Sequence, residues 1–250
     1  IQSLPVREPS PPYINYYITS NKGCQPMKVD LFFCGDSFTY GAELQGLEDD
    51  HEKRKKERFS TLVSDSLGKT HDNVSKNGAC NDWIVKSVVD WFESGNECHT
   101  AFIQFSHYRR WGWYEGDQYR NMTQHRDHIS HQHTDVQQQA HEAYWKFVRS
   151  ESNDLDNYWK NKFFIKNYLK DKCKVHFTTL SHIPYGNKNL YKNNFWYNLV
   201  KDTEISSFKM IVDGEFTEKY NDTNLTGRHP NTIGHQLIAD HLLNIVKREN

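Results

Sequence analysis

Three short blocks carry residue types that together support nucleophilic catalysis. Ser37 stands in Cys34-Gly35-Asp36-Ser37-Phe38-Thr39-Tyr40-Gly41, directly after the apolar run at 29–34. A serine hydroxyl is a weak nucleophile by itself. It needs a base to take its proton and donors for the oxyanion that its attack creates. A serine in a glycine-flanked turn from strand to helix offers a hydroxyl beside free backbone N–H groups, although the same place also suits an ordinary helix N-cap. Gly78, in Asn73-Val74-Ser75-Lys76-Asn77-Gly78-Ala79-Cys80-Asn81-Asp82-Trp83-Ile84, can bring its N–H close to a ligand because it lacks a side chain. His229 lies in Thr226-Gly227-Arg228-His229-Pro230-Asn231-Thr232-Ile233-Gly234-His235, just before a helix begins. It is the candidate base, and activity is expected to rise with pH as it loses its proton.

The elements that must position these residues follow from hydrophobic patterning. The nearly continuous apolar run 29–34 reads as a strand buried on both faces, and 101–105, 175–180 and 208–212 read as further strands. Phe59, Leu62, Val63 and Leu67 have helical spacing, with Gly68 as a C-cap; Ile84, Val88, Trp91 and Phe92 mark a second helix closed near Gly95. A long helix is expected around Leu155–Leu169, another at 190–200, and a last one through Ile233, Leu237, Ile238, Leu242 and Ile245. The charge run 48–58 mixes both signs and reads as a solvated loop or helix start. Strands alternating with helices imply an α/β domain with a parallel sheet, whose site belongs at the carboxyl ends of its strands.

The order and content of the three blocks resemble the SGNH (GDSL-type) hydrolases, a family of esterases and acylhydrolases. The resemblance spans residues 28–248 in block order and is carried by 34–41, 78–84 and 229–235. It implies a three-layer α/β/α sandwich with a flavodoxin-like parallel sheet. It also implies Ser37 as nucleophile, His229 as general base, and the N–H groups of Ser37 and Gly78 as oxyanion donors. The sequence departs from the family twice. Thr226 occupies the place, three residues before the histidine, where the family carries an Asp that orients the imidazole. Asp222 and Asp213 are nearby carboxylates, and spacing does not choose between them. The family's oxyanion Asn is also missing after the third strand; His107 falls closest to it, and Asn81 is the other candidate. Arg109 is a candidate for substrate binding or for bracing, and Trp111 is a candidate substrate contact. His235 is expected to pack or hydrogen-bond, and Asp36 to anchor the turn around Ser37.

Between 107 and 153 the α/β alternation is interrupted by a polar segment rich in His, Gln, Arg and Tyr. His125, His128, His131, His133 and His141 could ligate a transition metal or belong to a polar lid, but the segment has neither an HExxH pattern nor a nearby cysteine. Tyr108, Trp111, Trp113, Tyr114 and Tyr119 could stack on sugar rings, line an acyl pocket or form a small core for the lid. No metal or other cofactor is expected.

Composition bounds the rest. At 250 residues with a net charge of −1, the chain lacks the basic excess of a general nucleic-acid binder. No stretch reaches the length of a spanning helix. Apolar residues are only 36% of the chain while aromatics reach 14%, so the core must lean on Phe, Tyr and Trp. Five cysteines without a CxxC pair, and a start without a signal-peptide core, favour a reducing, cytoplasmic setting. The Asn, Lys and Tyr bias suits an AT-rich microbial or viral genome. Residues 1–26 read as an extension with little regular structure, ahead of a single domain at 27–250. The reading that results is a serine esterase acting on a small ester, such as an O-acetyl group on a carbohydrate. Its rivals are a catalytically inactive SGNH-fold binding or structural protein, and a metal-binding protein built on the histidines.

Overall fold

A computed structural model of the protein describes residues 25–42, 44, 51–115, 118–122, 135–179, 195–200, 205–207, 225–226 and 229–248. Five parallel strands form its sheet: β1 (Lys28–Cys34), β2 (His71–Asn73), β3 (Glu97–Phe105), β6 (Lys174–Thr179) and β7 (Ile205–Ser207). They lie in the order β2-β1-β3-β6-β7. Counted along the chain this is 2-1-3-4-5, the flavodoxin-like doubly wound order. Its direction reverses between β1 and β3, which is where ligand sites form in such sheets.

Alternate residues of β1 point into two cores. Phe32 faces α4 (Asn81–Glu93) and α6 (Glu151–Leu169), where Ile84, Val88, Trp91, Leu155, Tyr158 and Ile165 pack. Leu31 and Phe33 face α3 (Phe59–Leu67) and α8 (Thr232–Arg248), meeting Phe59, Val63, Ile238 and Leu242. Helices on both faces make three layers. Stacked rings substitute for aliphatic bulk: Phe32 on Trp91 at 4.2 Å and Phe33 on Phe102 at 5.0 Å. Burying each such ring contributes about 2–3 kcal/mol, which offsets the low apolar content. Gly68 closes α3 with φ 63°, as its place after Leu67 predicts. The charge run contains α2 (His51–Glu57).

The stretch after β3, expected only as a polar interruption of the α/β alternation, carries secondary structure of its own. It contains an antiparallel hairpin of β4 (Trp111–Glu115) and β5 (Gln118–Met122), then α5 (Asp135–Ala143) and a π-helical turn at Tyr144–Val148. Trp111, Trp113, Tyr114 and Tyr119 carry β propensity beneath the polar composition. Ser150 then caps α6 by accepting Asn153 N–H at 3.1 Å. The helix expected at 190–200 is described as α7 (Phe195–Val200). The strand expected at 208–212 lies outside the described residues, and β7 precedes it. Residues 1–24 of the expected extension also lie outside them. Among the described residues no helix is long and apolar enough to cross a membrane.

Candidate active site

At the carboxyl end of β1 the chain turns through Gly35 and Asp36 into the short helix α1 (Ser37–Tyr40). Gly35 is required by close approach: a Cβ there would lie 2.5 Å from Thr39 Oγ1 and 2.7 Å from Gln104 Oε1. Gly41 ends the helix with φ 82°, its N–H donating to Ser37 O at 3.0 Å. Ser37 thereby sits at the first turn, buried, and its Oγ has no hydrogen-bond partner among the described residues.

Asp36 is fully buried and organises this turn. Its Oδ1 accepts Phe38 N–H at 3.0 Å and Gln104 Nε2–H at 2.8 Å; its Oδ2 accepts Ser106 Oγ–H at 2.8 Å and Arg110 Nη1–H at 3.2 Å. Gln104 Oε1 in turn accepts Thr39 Oγ1–H at 2.6 Å and the N–H groups of Asp36 and Thr39 at 3.3 Å. A buried carboxylate is tolerated because charged and neutral donors surround it. Sequence reasoning anticipated Asp36 as the anchor but missed Gln104, Ser106 and Arg110. A signal existed for Gln104: a lone amide inside the apolar run Ala-Phe-Ile-Gln-Phe must find partners when buried.

Gly78 lies in the loop leading to α4, with φ 75°. This loop is tied to the serine turn by Lys76 N–H donating to Gly35 O at 3.2 Å and by Arg110 Nη1–H donating to Ala79 O at 3.5 Å. Among the described residues the N–H groups of Ser37 and Gly78 donate to no acceptor. Asn81 begins α4 and spends both ends of its amide on one residue: Oδ1 accepts Ser106 N–H at 2.8 Å and Nδ2 donates to Ser106 O at 3.4 Å. It clamps the end of β3 to α4. His107 is half-buried and stacked on Tyr108 at 4.6 Å. Its Nδ1 accepts Arg109 N–H at 3.2 Å, so the neutral ring carries its proton on Nε2, as a donor.

His229 lies in a two-residue ladder, β8 (Leu225–Thr226) with β9 (His229–Pro230), in which Thr226 pairs with His229. The ladder abuts α1, and the His229 ring meets the Phe38 ring at 5.8 Å and 64°. The structure therefore brings the histidine against the residue next to Ser37. Asp213 and Asp222 lie outside the described residues. His235, on α8, is fully buried; Nδ1 accepts Phe59 N–H at 3.2 Å, and burial, with Arg58 and His229 nearby, pushes its pKa down to about 3.

Arg109 and Trp111 face α6. Arg109 lies 3.6 Å from Glu151, and Trp111 donates to the buried Asp154 at 3.0 Å and packs on Tyr144. Burial raises the Asp154 pKa. These contacts hold the segment after β3 onto the domain. His141 accepts Trp145 Nε1–H at 3.0 Å. His125, His128, His131 and His133, like the side chains of Tyr114 and Tyr119, lie outside what is described. Among the described residues no cluster of His, Cys, Asp and Glu is placed to hold a metal ion.

No family model matches the sequence, and a search of curated proteins returns no match. Solved structures do match. A carbohydrate esterase, reported with divergent catalytic and non-catalytic binding functions at its active site, is 13% identical, with 88% of this chain and 68% of that one covered and a TM-score of 0.50. An acetyl xylan esterase from Geobacillus stearothermophilus is 12% identical over 88% and 94% of the two chains, TM-score 0.49. A lipolytic protein of the G-D-S-L family from Veillonella parvula is 11% identical over 89% and 99%, TM-score 0.48. Sheet order and the likeness to the carbohydrate esterase agree that this chain has a flavodoxin-like three-layer α/β/α fold.

Proposed function

We propose that the protein is a serine carboxylic-ester hydrolase that removes a small acyl group through an acyl-enzyme. Ser37 Oγ attacks the ester carbonyl carbon while His229 takes the hydroxyl proton. The carbonyl oxygen becomes an oxyanion, and the N–H groups of Ser37 and Gly78 receive it, with His107 Nε2–H as a further donor. Collapse of the tetrahedral intermediate breaks the bond to the alcohol oxygen, which leaves with the proton from His229. Water, deprotonated by His229, then attacks the acyl carbon and releases the acid and free Ser37.

The observation that carries this reading is the state of Ser37: a buried hydroxyl at the carboxyl end of β1 with no partner among the described residues, next to the residue whose ring meets that of His229. An N-cap serine would spend its oxygen on a backbone N–H; here the capping acceptor is Asp36. An O-acetyl carbohydrate is the substrate class we assign, in keeping with the carbohydrate esterase that shares the fold. Release of acetate from p-nitrophenyl acetate and from an acetylated xylo-oligosaccharide tests it. The wild type should turn over both, and Ser37→Ala should lose about 10³-fold or more. Equal rates in wild type and variant would overturn the proposal.

A further inference from the structure

The amino end of the sheet, opposite the serine turn, brings two cysteines together. Cys98 belongs to β3, and Cys173 directly precedes β6. These strands pair in parallel with Thr100 opposite Lys174, so the two cysteines stand near a one-residue diagonal across neighbouring strands. Neighbouring strands run about 4.8 Å apart, and disulfides span about 4.4–6.8 Å between Cα atoms, so the placement suits a bridge. Both side chains enter the core beneath α4 and α6, where the Cys98 thiol hydrogen-bonds Cys173 Sγ. Both are reduced.

Their surroundings divide the roles. Cys173 is half-buried, and its sulfur accepts hydrogen bonds from the Cys98 thiol and from Ala101 N–H, with the Lys172 ammonium nearby; these hold its pKa below the ordinary thiol value against the opposing effect of burial. Cys98 is buried, and its hydrogen bond to Cys173, followed by desolvation, pushes its pKa far up. A cavity of about 440 Å³, with Lys28, His99 and Lys172 in its wall, is lined by Cys98 itself. The cavity is lined by Cys98 and not by Cys173, so the partly exposed Cys173 is placed as the attacking thiol and the buried Cys98 beside it as the resolving one.

We propose that Cys98 and Cys173 are a redox pair that hydroperoxides convert to an intramolecular disulfide. The Cys173 thiolate attacks one peroxide oxygen and breaks the O–O bond. The sulfur becomes a sulfenic acid, and the other oxygen leaves as hydroxide, which takes a proton to become water. Cys98 sulfur then displaces the hydroxyl from Cys173 sulfur, and the Cys98 proton leaves with that hydroxyl as the second water. With hydrogen peroxide, two thiols are oxidised to one disulfide while the peroxide is reduced to two waters. The link closes the chain from β3 through the segment at 107–153 and α6. It does not depend on the esterase reading.

Treating the reduced, folded full chain with hydrogen peroxide, then alkylating in denaturant, tests this directly. Two of the five thiols should disappear, the mass should fall by about 2 Da, and peptide mapping should join Cys98 to Cys173. Cys98→Ser should stop at a sulfenic acid on Cys173, trapped by dimedone. Five alkylated thiols in treated wild type, or a link through any other cysteine, would overturn the proposal without recourse to the variant.

Discussion

Around Ser37 one buried carboxylate gathers Phe38 N–H, the Gln104 amide, the Ser106 hydroxyl and the Arg110 guanidinium, whereas His229 stands in a two-residue ladder and meets the turn through the Phe38 ring. The first region draws its donors from β3 and from the turn beyond it, as well as from α1. The second has Thr226 where the SGNH hydrolases it resembles in sequence blocks place an orienting carboxylate. The proposed nucleophile is thus fixed redundantly, and the proposed base is the half of the site where rate can be gained or lost by a single side chain.

The most severe break of this contrast is Asp36→Ala. It removes the cap of α1 and leaves Arg110 without its carboxylate partner, so urea unfolding should show a loss of about 3–5 kcal/mol. A loss under about 1 kcal/mol would mean that the remaining tie through Gln104 suffices. Thr226→Asp sharpens the contrast from the other side. Residues opposite each other in an antiparallel pair share a face, so a carboxylate at 226 is placed to orient the His229 ring. Ester turnover should rise by about tenfold or more. An unchanged rate would show that the histidine is already oriented by another group.

Legibility followed the same division. The parallel sheet, the main helices and the turn at Ser37 were readable because they rest on local signals: apolar runs, helical spacing, and glycines such as Gly68 where φ is positive. The anchor at Asp36 was also readable, since a carboxylate before a helix start caps it. Its partners were not. Arg110 reaches Asp36 across 74 residues of sequence and Gln104 across 68, and no spacing rule connects them. The clamp of Asn81 on Ser106 is of this kind too: composition shows an amide near Gly78, and only the packing of α4 against the end of β3 shows how it is spent. The β4–β5 hairpin was hidden because overall polarity outweighed the β propensity of its aromatic residues.

A smaller effect tests the support behind the base. His235 is held neutral, with its pKa pushed from 6.5 to about 3 by burial. The unfolded chain therefore binds a proton that the folded chain refuses. Stability from this residue is complete above pH 6.5 and declines as pH falls from there toward about 3, by about 1 kcal/mol between pH 7 and pH 5.5. His235→Gln, which keeps an acceptor for Phe59 N–H, should flatten that part of the stability profile. An unaltered slope would place the acid sensitivity elsewhere.

The central claim is that Ser37 is an activated nucleophile, and intact-mass labelling with a fluorophosphonate probe reads it without a choice of substrate. The account predicts one adduct on the wild type, mapped to Ser37 and absent from Ser37→Ala. A folded wild type that takes up no adduct, or takes it up at another residue, would contradict it.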